Sequence, residues 1–367
     1  MNMLNERQET SKLMLIANYS GMYGSERMLT FLIAALRETF TLDLLINPSV
    51  SLNLSDIHGV PIQKQFFHVI SKDNKFIAAL DLFRWFRLLL KYRPNIVVTN
   101  ISLIPAPLLI ARLLGIKTVV FIRESLVDHP FFFRIYQKYL FLFASHIVCN
   151  SQYTASMFSL PKARVHIVSD CVESAAVLMP TEKFCISLLF VGRLSERKGL
   201  SILLDALRIL DEYGQALIHV TMVGDCLENQ ESFLASMKVE FARLNSFKIS
   251  WIGYQKNPWA YADWGSVLIA PSLFPETFGL TVAEALVRGV PVVATNVGAY
   301  PELLQNRVNG FQCETTAEDL ANKIKQVLHL EATEYQRLSA GAVRSAPVYA
   351  IEKYEESIRG LFCKLFQ

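Results

Sequence analysis

Short apolar runs rich in Val, Ile and Leu alternate along this chain with longer segments whose apolar positions recur at helical spacing. A run of that kind reads as a strand buried on both faces, and the helical segment after it as the crossover to a parallel neighbour. In the first half the pattern predicts strands at Leu13–Ala17, Leu42–Ile46, Ile96–Thr99, Thr118–Ile122, Ile147–Cys149 and Val165–Val168. The second half restarts the rhythm with Ile186–Val191, Val220–Val223, Ile249–Ile252, Val267–Ala270 and Pro291–Ala294. The expectation is an α/β chain of two doubly wound, Rossmann-like domains facing a cleft, residues 1–175 and 176–345, with 346–367 a terminal helix packing back on the first. The aperiodic stretch 173–183, which contains Pro180, is the expected linker. Ligands of such sheets bind beyond the carboxyl ends of the strands, so the chemistry belongs in the loops that follow them.

Composition narrows the function classes. The chain has 367 residues, 52% hydrophobic and 19% charged, which suits two packed domains and excludes long disordered tails. A net charge of +3 does not suit a dedicated nucleic-acid binder, and no nucleic-acid partner is expected. The basic surplus is local: residues 1–180 hold 18 Lys and Arg against 12 Asp and Glu, and the remainder 18 against 21. Six cysteines without a Cys-x-x-Cys pair indicate neither a disulfide framework nor structural zinc. The apolar stretch 94–111 is broken by Pro94, Asn95, Asn100, Pro105 and Pro107, so it reads as a strand and a helix rather than a membrane span. Met1 to Lys12 lacks the apolar run of a signal peptide, and a cytoplasmic location is expected.

After the strand at 186–191 comes Gly192-Arg193-Leu194-Ser195-Glu196-Arg197-Lys198-Gly199, then a helix with Leu200, Leu203, Leu204, Leu207 and Leu210 on one face. Arg193 and Lys198 would serve a diphosphate as charged donors; a solvated turn is the plainer reading. A second string follows the strand at 267–270: Pro271-Ser272-Leu273-Phe274-Pro275-Glu276-Thr277-Phe278-Gly279-Leu280-Thr281-Val282-Ala283-Glu284. Gly279 lets backbone approach a ligand, and the helix start behind it presents free N–H groups to an anion. Glu276 and Glu284 bracket that start; Thr281-x-x-Glu284 also fits a capping box, which would make Glu284 a structural device.

This second string resembles the Glu-x7-Glu region of the family-4 retaining glycosyltransferases, or group 1 glycosyl transferases, of GT-B architecture. Val191-Gly192-Arg193-Leu194, Lys198-Gly199, Val223-Gly224-Asp225, Ile252-Gly253-Tyr254 and Ala262-Asp263 match in the same order, over roughly residues 185–312. The resemblance implies a nucleotide-sugar donor in the second domain. Glu276, Arg193 and Lys198 would form the catalytic set, with Glu276 on the donor sugar's hydroxyls and the two cations on the diphosphate. Gly192, Phe278, Gly279 and Leu280 would line the donor, and Glu284 would bind the ribose. The sequence has no Asp-x-Asp, so neither a metal nor another cofactor is expected.

Gly24-Ser25-Glu26-Arg27 resembles the Gly-x-Glu-Arg start of many members of the family, which places Gly24 and Glu26 on the acceptor side. Glu26 favouring a helix dipole is the alternative. Where many relatives carry a His, this chain has Arg123 or Glu124; Arg123 is the acceptor-side candidate, and His129 a further imidazole in the next loop. Ser151-Gln152-Tyr153-Thr154 resembles the family's Ser-x-x-Thr turn, whereas Val168 to Glu173 departs from its wording. The helical segment 76–91 sets Arg84, Arg87 and Lys91 beside Phe83, Trp85 and Phe86. The simpler reading is a solvated cationic face; peripheral contact with an anionic membrane at the cell's inner face is the other, and it would suit a lipid-linked acceptor. The expected activity is transfer of a sugar from a nucleotide diphosphate to a hydroxyl of a glycan or lipid-linked acceptor, in cell-envelope or exported polysaccharide or glycolipid synthesis. A nucleotide-sugar epimerase and a catalytically silent, nucleotide-binding scaffold remain alternatives.

Overall fold

The computed structural model describes residues 11–17, 24–46, 60–64, 79–100, 105–124, 130–181, 184–212, 214 and 217–366. The chain divides into two compact units. The first, ending at Asp170, runs β1 (Lys12–Ala17), α1 (Gly24–Arg37), β2 (Thr41–Ile46), β3 (Ile62–Lys64), α2 (Ala79–Tyr92), β4 (Ile96–Thr99), α3 (Pro105–Leu113), β5 (Lys117–Ile122), α4 (Pro130–Phe143), β6 (His146–Cys149), α5 (Gln152–Ser156) and β7 (Val165–Ile167). The second, Cys171–Ala350, runs β8 (Ser187–Val191), α6 (Leu200–Asp211), β9 (Ile218–Val223), α7 (Glu231–Phe241), β10 (Phe247–Gly253), β11 (Ser266–Ala270), α8 (Leu280–Val287), β12 (Val292–Thr295), α9 (Tyr300–Leu303), β13 (Gly310–Cys313), α10 (Ala317–Leu328) and α11 (Ala332–Ser345). The last helix, α12 (Ile351–Phe366), returns to the first unit.

Both sheets are parallel throughout, in the orders β3-β2-β1-β4-β5-β6-β7 and β10-β9-β8-β11-β12-β13. The central strands are buried on both faces, which is why they read as unbroken apolar runs; Ile96–Thr99 and Ser266–Ala270 are buried at every position. Each fully buried Leu or Ile contributes roughly 1.5–3 kcal/mol relative to exposure. In the second unit, Leu203 and Leu207 of α6 pack with Leu188, Phe190, Ile269 and Val293 of the sheet. In the first, Trp85 and Leu89 of α2 and Ile110 of α3 close over Met14, Ile16 and Val97. Two strands escape the sequence reading, β3 and β13, because Ile-Gln-Lys and Gly-Phe-Gln-Cys are not apolar runs.

The crossing to the second unit falls at Asp170–Cys171, ahead of the expected 173–183. Cys171 and Val172 are already buried there, and the Val172 amide donates to the carbonyl of Tyr349 (2.9 Å). α12 seats its apolar face on the first unit: Phe40 lies against Phe362 and stacks on Phe366, with centroids 6.2 and 5.0 Å apart. The Lys117 ammonium donates to the carbonyl of Leu365 (2.5 Å), satisfying a terminal acceptor of the helix.

Candidate functional site

The strand order of the second sheet reverses direction between β8 and β11, which lie side by side. At such a switch point the loops leaving the two strands diverge to opposite faces and open a crevice at their carboxyl ends. The loops that leave β8 and β11 are residues 192–199 and 271–279, the two strings singled out by their chemistry.

These loops are joined backbone to backbone. The Leu273 amide donates to the Arg197 carbonyl (3.1 Å), and the Arg197 guanidinium lies 4.9 Å from the centroid of the Phe274 ring. Gly199 sits at φ 79° and caps α6; a Cβ on it would lie 1.8 Å from the carbonyl oxygen of Pro271. Both the left-handed backbone and the close approach demand glycine. Gly192, just past β8, donates its amide to Val223 (3.0 Å), and Arg193 follows it half-buried in the same loop.

The two loops bring Lys198 and Glu276 together. The Lys198 ammonium donates to Glu276 Oε1 at 2.7 Å, and the Ser272 hydroxyl donates to the same oxygen at 3.0 Å. Burial by itself would push the Glu276 carboxyl up, but the Lys198 charge and these hydrogen bonds override it and hold the group below the usual carboxylate range. Ser272 also lies 3.3 Å from the hydroxyl of buried Tyr300, whose acidity is suppressed by burial and by the Glu276 charge. Ser272 was only part of a sequence string, and Tyr300 carried no signal.

Gly279 is the N-cap of α8 at φ 108°, and a Cβ there would lie 2.6 Å from the Tyr300 ring. Among the described residues no side chain caps this helix start, so the amides that follow Gly279 can meet an anion, reinforced by the helix dipole. Leu280 is its first helical residue. The Phe278 side chain is turned into the core against Tyr349, with centroids 5.8 Å apart, leaving its backbone as the part beside Gly279.

Glu284 is buried one turn further on, 8% exposed, and its Oε2 accepts the indole N–H of Trp259 at 3.1 Å. The capping-box alternative is not realised: the N-cap is Gly279, and Thr281 lies inside the helix.

On the acceptor-side candidates, Gly24 is the first residue of α1 and Glu26 lies in its first turn; the side chain of Glu26, the preceding loop and His129 lie outside the described residues. Arg123, just past the end of β5, forms a buried ion pair 2.5 Å from Asp170, with each side chain 5% exposed. Asn150 donates to the other Asp170 oxygen (3.0 Å), and Arg123 donates to the Tyr354 hydroxyl (3.4 Å). Ser151 accepts from the Thr154 amide (2.9 Å) and caps α5, so the Ser-x-x-Thr turn is a helix start. Among the described residues no three His, Cys, Asp or Glu side chains gather into a metal-binding group, and no helix is long and apolar enough to cross a membrane.

Known proteins resemble this chain. The family described as Glycosyl transferases group 1 matches residues 182–344. A protein of 41.2 kDa in the cps region of Klebsiella pneumoniae is 29% identical over 176 residues, which is 48% of this chain and 44% of that protein, so the match spans less than half of that relative. The lipopolysaccharide core biosynthesis mannosyltransferase LpsB of Rhizobium meliloti is 28% identical over 73% of this chain and 78% of its own. The crystal structure of Anabaena Alr3699/HepE in complex with UDP superimposes with a TM-score of 0.78 at 18% identity, covering 96% of this chain and 99% of that one. The chain therefore has the GT-B fold, and its residues 182–344 match the family described as Glycosyl transferases group 1.

Proposed function

We propose that this chain is a family-4, retaining, metal-independent glycosyltransferase that moves a sugar from a nucleoside diphosphate sugar to an acceptor hydroxyl in cell-envelope polysaccharide or glycolipid synthesis. The observation that carries the reading is the meeting, at the switch point between β8 and β11, of a basic loop, a carboxylate held ionised and an open helix start. In this reading Arg193, Lys198 and the amides behind Gly279 face the diphosphate. Charge grows on that group as the anomeric C–O bond breaks, so fixed positive donors stabilise the transition state more than the bound ground state. Glu276, kept ionised by Lys198, accepts hydrogen bonds from the donor sugar's hydroxyls. The acceptor oxygen bonds to the anomeric carbon, and its proton passes to the departing phosphate on the same face. Names among the relatives support the class: LpsB is a mannosyltransferase of lipopolysaccharide core, and Alr3699/HepE was solved with UDP. Gly24, Glu26 and the end of β5 take the acceptor side.

The same reading places the enzyme in the cytoplasm against the inner membrane surface. α2, α3 and α4 lie side by side on one face of the first sheet. Facing away from it they expose Phe83, Phe86, Leu113, Phe131 and Leu142, among six Lys and Arg, while the sole carboxylate of the three helices, Asp81, is buried. Apolar rings and cations without exposed acids complement an anionic bilayer. Sedimentation with phosphatidylglycerol vesicles, and not with phosphatidylcholine vesicles, is the expected result.

The activity is tested by assaying Glu276→Ala and Glu284→Ala against a panel of UDP- and GDP-sugars with hydroxyl acceptors. Each variant is expected to lose at least tenfold in kcat/KM. Wild-type rates in both would remove the site assignment. An epimer produced without acceptor would instead assign the chain to epimerase chemistry.

A further inference from the structure

Glu284 is held from two directions by residues that also hold each other. Trp259, in a single helical turn spanning Pro258–Tyr261, is 7% exposed, and its indole N–H is spent on Glu284 Oε2 at 3.1 Å. Arg288, the residue that ends α8, reaches back one turn to donate to the Glu284 backbone carbonyl at 2.8 Å. The same guanidinium lies 4.9 Å from the centroid of the Trp259 ring. The three residues thus close a loop in which the indole restrains the carboxylate, Arg288 holds the Glu284 backbone carbonyl, and a cation–π contact keeps the indole in place. A hydrogen bond to a charged acceptor in a buried site is stronger and more directional than one at the surface. The tether on Oε2 restrains the carboxylate's rotation about its last bond.

We infer that Trp259 and Arg288 are positioning residues that aim the Glu284 carboxylate at the ribose hydroxyls of the nucleotide, and so set the preference for a ribonucleotide carrier. This rests on the proposed role of Glu284. The aim matters because two vicinal hydroxyls are met well only by a carboxylate of fixed orientation; a rotating one satisfies them in a fraction of its states.

The test is titration calorimetry of the full chain with UDP and GDP and with their 2′,3′-dideoxy counterparts. Wild type is expected to bind one of the ribonucleotides at least tenfold tighter than its dideoxy form, and Glu284→Ala to lose that preference. Trp259→Phe keeps the ring and the stacked Arg288 but deletes the donor. It is expected to weaken the ribonucleotide by about tenfold, the loss of one charge-assisted hydrogen bond, and to leave dideoxy binding unchanged. Arg288→Met should move the same way by a smaller factor, with Arg288→Lys restoring part of it; a defect of folding would weaken both nucleotides alike. If Trp259→Phe and Arg288→Met keep the wild-type preference while Glu284→Ala loses it, the positioning role is overturned and the ribose assignment stands. If Glu284→Ala keeps the preference, or neither ribonucleotide binds wild type, the reading beneath it falls as well.

Discussion

A single methyl group at Gly199 would force apart the loops that form the site. Its Cβ would meet the Pro271 carbonyl oxygen at 1.8 Å, and φ 79° already disfavours any side chain. Gly199→Ala is expected to cost roughly 2–4 kcal/mol, the range for core overpacking combined with backbone strain, read as a lower midpoint in urea. Glu276 and Lys198 were each legible in the sequence from their place after apolar strands. Their pairing was not, since 78 residues separate them and only the adjacency of β8 and β11 brings them within 2.7 Å. Ser272, four residues before Glu276 in the same loop, showed its place but not its role, and Tyr300 showed neither, because only the fold sets its hydroxyl 3.3 Å from that of Ser272. Glu276→Gln keeps the shape but removes the charge that Lys198 meets. It should lower kcat about 100-fold, within the range for loss of one preorganised electrostatic group, with the fold intact by circular dichroism.

At the scale of elements, the sheet was legible wherever a strand is covered on both faces, because burial leaves no room for polar residues. β3 and β13 were not, since an edge strand and a strand carrying Gly310 and Gln312 have no such run. The neighbouring strands β6 and β7 carry a contact that periodicity alone does not show: His146 Nδ1 lies 3.1 Å from His166 Nε2. Burial lowers both imidazoles, and His146 is lowered further by His166, Arg164 and Lys117, His166 by Lys364. The folded state therefore binds fewer protons than the unfolded one below the unfolded imidazole pKa of about 6.5. Stability from this pair is complete above that pH and is lost as pH falls through it toward the depressed folded values. The melting temperature should fall between pH 7.5 and pH 5, and the fall should be smaller in His146→Gln/His166→Gln. An equal fall in the double variant would assign the effect to other groups.

Across the whole molecule, the sequence expectation set the crossing in the aperiodic stretch 173–183, whereas the chain passes between the units at Asp170–Cys171, where residues 168–173 contain no Pro or Gly break. The structure marks it with a buried charge pair instead. Asp170 is the last residue of the first unit, Tyr354 comes just after the chain returns at Ile351, and Arg123 bonds to both. Arg123→Met leaves the Asp170 carboxylate buried without its cation and should cost roughly 3–5 kcal/mol, the usual penalty for breaking a buried pair from one side. Arg123→Met/Asp170→Leu should recover most of that loss. Chemical denaturation of the two variants gives the comparison, and equal instability of both would deny the pair its role.

The central claim concerns where the donor's diphosphate sits. Crystals of the full chain soaked with UDP-glucose or GDP-mannose test it most directly. The account predicts diphosphate density against the Arg193 and Lys198 side chains and the amides behind Gly279, with ribose oxygens at Glu284. Density for the nucleotide elsewhere, with the start of α8 unoccupied, would contradict it.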